Sequence, residues 1–227
     1  MKTPDQIAAD IRIELRSIVR GLQHLRQPFT EFDDVPGLPE GHPRFRLKQA
    51  ACYEEVQRRV LEVAGAIWHL KDRLKLWVAA RSLTISPTIE ELVAGNLALL
   101  LCSDLINAKK HGECKNRSGY GPRLGGLRID INGNGAVAMR YDGAAKEDEI
   151  LVTHRVPVPF QVEIISGDGR GTFGNAAEVI EKAFDVWRQV ICQLGILAAP
   201  DPESQLLLRH LRGEVTQPGT LSQMLGP

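Results

Sequence analysis

Two stretches of the 227-residue chain set proton-active side chains into otherwise apolar helical sequence. One, IWHLKDRLKLW (Ile67–Trp77), carries His69 and Asp72; the other, LALLLCSDLINAKKHG (Leu97–Gly112), carries Asp104, Asn107 and His111. At helical spacing Val93, Leu97 and Leu100 continue into Asp104, Asn107 and His111, so a stripe of aliphatic residues ends in a carboxylate, an amide and an imidazole. In the first stretch, VAGAIWHL (Val63–Leu70) is apolar nearly all round, which predicts an enclosed helix. His69 is its one ionisable residue, and Asp72 follows on the same side. An unpaired buried polar group costs roughly 1–3 kcal/mol. The two polar sets are therefore expected to meet, satisfying each other, a ligand or a metal.

Three kinds of chemistry fit. His69, Asp72, Asp104 and His111 could hold a divalent metal from facing helices of a bundle, although neither HExxH nor ExxH occurs. Without metal, a histidine beside an aspartate and a lysine moves protons near neutral pH, while Lys110 or Arg73 stabilises developing negative charge. That set suits cleavage of RNA, whose own 2′-hydroxyl is the nucleophile. The third reading is structural: His69, Asp72 and Arg73 form a polar network in the core, and Asp104 pairs with Lys110 or Arg73. Elsewhere the glycine-rich stretch GYGPR, with Lys115, Arg117 and Arg123, offers amides and cations to a phosphate, but it is not a P-loop. GDGRG (Gly167–Gly171) is a similar loop ahead of a helix N-terminus.

The elements that must carry these residues read as mainly α. Thr3 and Pro4 open a first helix to about Leu25, striped by Ile7, Ile11, Leu15, Ile18, Leu22 and Leu25. Residues 27–44 hold four prolines and read as an extended loop. A second helix is predicted from about Phe45 to Ala80, and a third from Ser86 or Thr88 to His111, with a Thr88–Glu91 capping box and Gly112 as its stop. Strand candidates follow at Leu127–Ile131, Val137–Tyr141, Glu149–His154 and Phe160–Ile165. NGNG (Asn132–Gly135) signals a hairpin between the first two, so a meander is expected. A fourth helix spans about Asn175 to Leu194, and the tail holds a short helical candidate at Glu203–Leu211. The expected fold is α+β, mainly α: an antiparallel helical bundle with a small antiparallel β-sheet inserted between the third and fourth long helices. It is read as a single domain over 1–227, with the bundle at 4–112 and 175–195, the insert at 120–166 and a loosely held tail at 213–227.

Composition sets outer bounds. Hydrophobic residues are 43% and charged residues 25%, as in an ordinary globular chain. Lys+Arg and Asp+Glu both number 28, so any nucleic-acid role rests on a local patch. The four cysteines are dispersed without a CxxC, which predicts reduced thiols and a cytoplasmic setting. No apolar run is long enough to span a bilayer, so no membrane partner is expected.

With its third helix ending in NAKKHG, the chain resembles HEPN-type proteins, prokaryotic helical bundles associated with RNA or nucleotides. His111 matches that family's histidine near a helix end and Asn107 its polar position; Leu105 and Ile106 stand where its arginine would fall. The resemblance covers the helices up to about Gly112. It implies a metal-independent endoribonuclease of a toxin or defence system, with His111 as general acid–base, Lys110 as charge stabiliser, and Asn107 and Asp104 orienting. It also implies a homodimer with two copies of His111 facing each other, and no cofactor. The alternative from the residues alone is a non-catalytic helical scaffold or partner-binding module with a buried His/Asp network.

Overall fold

The computed structural model describes residues 2–28, 30–37, 40, 42–47, 53–111, 117–129, 137–142 and 147–197, with backbone alone for 109–111, 137–142 and 147–149. Helix α1 (Pro4–Arg26) starts where the sequence places it. The Thr3 hydroxyl accepts the Gln6 amide while the Gln6 side chain accepts the Thr3 amide, a reciprocal capping box with proline in the first turn. Its predicted stripe is its buried face.

Strand β1 (Phe32–Asp34) lies in what reads as a proline-rich loop and pairs antiparallel with β2 (Phe45–Leu47), which takes the predicted start of the second helix. Helix α2 (Tyr53–Ala80) is therefore shorter than predicted at its start. The predicted third helix is two. Thr88 and Glu91 cap α3 (Ile89–Ala94), the chain breaks at Gly95–Asn96, and the Asn96 side chain accepts the Leu99 amide to open α4 (Leu97–His111).

Helix α2 packs against α1, α4 and α5 (Ala176–Gln193), and this wrapping explains its nearly continuous apolar run. Small residues let the rods approach: a Cβ on Gly65 would meet Ile106 Cδ1 at 3.3 Å, and one on Gly21 would overlap Val63. Trp187 of α5 is fully buried and its indole N–H donates to the Ile67 carbonyl at 2.9 Å.

The β region differs from the expected single meander. Strand β3 (Arg123–Ile129) pairs with β6 (Phe160–Ile165), and β6 with β7 (Thr172–Asn175), in a sheet of order β3-β6-β7. Strands β4 (Val137–Asp142) and β5 (Glu147–Val152) form a hairpin that joins β1 and β2 in a second sheet of order β1-β2-β5-β4. The pairing predicted from NGNG is thus not made, because β3 and β4 lie in different sheets; Asn132–Gly135 itself is outside the described residues, as are Gly112 and the tail candidates. Residues Val162 and Ile164 alternate inward along β6 and enter the same apolar core as the helices. Among the described residues no helix is long and apolar enough to cross a membrane.

Candidate functional site

The two polar turns are not brought together. Helices α2 and α4 run antiparallel: Lys75 of α2 meets Glu90 at the start of α3, Gly65 faces Ile106, and Leu61 lines one pocket with Leu105 and Ala108. The His111 backbone therefore lies toward the first turns of α2, on the order of 13 Å along the axes from the level of His69. His69 itself is exposed, on the strip of α2 that its three helical neighbours leave open. Asp72 is exposed and faces Lys71 at 3.3 Å, and Arg73 reaches across to Asp10 of α1 at 3.2 Å. The expected core network of His69, Asp72 and Arg73 is thus a surface feature. A window of apolar sequence cannot show that a helix covered on three sides still has one solvent-facing row.

Asp104 is the buried member, with no solvent exposure. Its stripe is not the predicted one: Leu97 is exposed and Leu100 half-buried, whereas Leu101 to Ile106 are buried on every side. Helix α4 is central at this level. One Asp104 oxygen accepts the Arg117 amide at 2.9 Å and the other the Ser118 amide at 2.8 Å. The carboxylate thereby ties down the chain that leaves α4, and it is not paired through Arg73, which is held by Asp10. One turn away, Asn107 Nδ2 donates to the buried Ser103 hydroxyl at 3.4 Å. The side chains of Lys110 and His111, and the whole of Lys115, lie outside the described residues. Among the described residues no three His, Cys, Asp or Glu side chains group as a metal site. Burial pushes the Cys102 thiol up to about 12, so it stays protonated and inert.

The loop that Asp104 anchors leads into a second cluster. The Arg117 guanidinium stacks 5.4 Å from the Trp68 ring centroid, with the Lys71 ammonium 4.5 Å from the same ring. Beyond it, Gly119-Tyr120-Gly121 packs directly on the β6–β7 turn. The Gly167 amide donates to the Tyr120 carbonyl at 2.9 Å, and a Cβ on Gly167 would sit 2.6 Å from the Gly121 oxygen. Only glycine allows that approach. The turn is held internally: the Ser166 hydroxyl donates to Asp168 at 2.6 Å and accepts the Gly171 amide at 2.9 Å, while the Arg170 amide donates to Asp168 at 3.0 Å. The bond from Ser166 holds the Asp168 carboxyl below its usual range, helped by the Arg170 amide.

Between the loops lies a cleft of about 500 Å³, lined by Tyr120, Asp168, Arg170 and Phe173 among others. The Tyr120 ring stands edge-on to Phe173 with centroids 5.2 Å apart. Arg123, at the start of β3, reaches this turn: its guanidinium lies 3.2 Å from where a Gly169 Cβ would be. Of the expected phosphate-binding set, Arg117 stacks on Trp68, and Arg123 reaches the Gly169 side of the turn while lining a neighbouring groove with Glu54 and Leu105. Both glycine-rich stretches are visible in the sequence. Their contact is not, because it depends on β3 pairing with β6, which places residues 119–121 beside 166–173. In comparisons with known proteins, no family model matches the chain, and no curated protein and no solved structure is significantly similar to it.

Proposed function

We propose that the protein is a non-catalytic helical scaffold whose loop surface binds a partner. The observation that carries this reading is the condition of Asp104, a fully buried carboxylate whose two oxygens are occupied by the amides of Arg117 and Ser118. General acid–base work requires hydrogen-bond reach to a substrate proton. A group enclosed in the bundle and engaged in holding a loop does not offer it. His69 and Asp72, spread over an exposed strip of α2, do not supply a replacement.

The competing reading is the RNA-directed one, with His111 as acid–base, Lys110 as charge stabiliser and a homodimer completing the site. Incubating the purified protein with single-stranded and hairpin RNA, beside His111→Ala and Lys110→Ala, separates the two. The scaffold reading expects intact RNA in every case. Cleavage by the unaltered protein that disappears in His111→Ala, with thermal midpoint and circular dichroism unchanged, overturns it.

A further inference from the structure

We propose that the cleft between the two glycine-rich loops binds a short acidic segment of a protein partner. This rests on the scaffold reading above and names what its surface would take.

Charge is the first argument. On the helices, cations meet carboxylates: Arg58 bonds Glu55 and Glu62, Lys75 bonds Glu90, and Arg26 bonds Glu181. Around the β6–β7 turn, to which Arg170 belongs and which Arg123 reaches at Gly169, they do not. Among the described residues neither Arg123 nor Arg170 has a carboxylate within ion-pair distance, and both are exposed. The one carboxylate of the cleft, Asp168, is occupied by the Ser166 hydroxyl and the Arg170 amide, within its own turn. Asp168 keeps its negative charge, so two guanidiniums against one carboxylate leave the turn with a single net positive charge, which favours an anionic guest. Carboxylates suit the planar guanidinium fork.

Shape is the second. Tyr120 is 52% exposed, and with Phe173 it forms an apolar wall next to the cations. A guest that carries an apolar side chain next to its acids fits both features. Among the described strands β7 is the edge of its sheet, the position at which an extended guest can be added. A nucleic-acid strand fits less well. It needs a cationic track with successive aromatic platforms, whereas this cleft has one exposed ring and the whole chain is charge-balanced.

The test begins by panning a displayed random-peptide library on the full chain, and then measures the enriched peptide, fluorescein-labelled, by anisotropy. Enriched sequences are expected to be acidic with a neighbouring apolar residue, and binding is expected to weaken as salt rises. Arg123→Gln and Arg170→Gln should each weaken it roughly tenfold or more, and Tyr120→Ala by roughly threefold to tenfold. Thermal midpoints should not move, since all three side chains are exposed or half-exposed. No enrichment, enrichment of non-acidic peptides, or undiminished binding by the Arg123→Gln/Arg170→Gln double variant overturns the proposal. So does tighter binding of oligo(U) than of the peptide, lost in that double variant. RNA cleavage is scored separately. A protein that neither binds the peptide nor cleaves RNA removes this proposal and leaves the scaffold reading standing.

Discussion

Asp104 and Asp168 perform the same local task in opposite surroundings. Each gathers hydrogen-bond donors of a neighbouring loop: the amides of Arg117 and Ser118 in one case, the Ser166 hydroxyl and the Arg170 amide in the other. Asp104 does so from inside the bundle, with its own carboxylate closed off from water. Asp168 does so at the surface, open to it. Asp104 positions a loop from within the core, and that loop is what meets the outside.

The comparison can be broken most forcefully by substituting both. Asp104→Ala empties a buried site and takes the acceptor from two part-buried amides, and should cost about 2–4 kcal/mol, lowering the thermal midpoint by roughly 4–16 °C. Asp168→Ala should move it hardly at all; equal effects would erase the distinction. A second buried bond sharpens the contrast. Trp187→Phe removes the indole donor to Ile67 and leaves a void, and should cost about 2 kcal/mol by chemical denaturation.

The contact between the loops is next in size. Gly167→Ala places a methyl group against the Gly121 oxygen and must part the two loops, at about 1–3 kcal/mol. Peptide binding should fall with it, while helical circular dichroism is retained. If binding survives at full strength, the cleft is not the site.

Smallest is an exposed cluster. Hydrogen bonds from Arg58 and Arg59 bring the Glu55 carboxyl from an ordinary 4.5 to about 2. A lowered folded-state value means that its contribution is complete above pH 4.5 and is lost as pH falls through about 2. Thermal midpoints of Glu55→Gln should therefore converge with the unaltered protein toward pH 2 and sit slightly below it at pH 7. A gap that widens on acidification contradicts the assignment.

Helix positions were legible because they follow from periodicity and caps, as at Thr3 and Thr88. The break at Gly95–Asn96 was not, although Asn96 has cap chemistry, because the apolar pattern runs through it. The positions of β3 to β6 were legible, those of the short strands β1, β2 and β7 were not, and neither were the partners: NGNG favours a tight turn locally, but the inward face of β6 is fixed by the helices it packs on, and β3 follows β6. Asp104 stood out correctly as a polar residue in a buried helix. Its partners did not, because backbone amides of a loop thirteen and fourteen residues on carry no sequence signature. His69 was misplaced for the opposite reason: an apolar neighbourhood in sequence is not an enclosed one in space.

Amide hydrogen exchange at Arg117 and Ser118 tests the role of Asp104 most directly. Both amides of the unaltered protein are expected to exchange orders of magnitude more slowly than an open loop, and Asp104→Asn to speed both while the amides of α1 and α5 stay protected. Exchange at the rate of an unstructured chain in the unaltered protein would contradict that role, leaving Asp104 free for other chemistry.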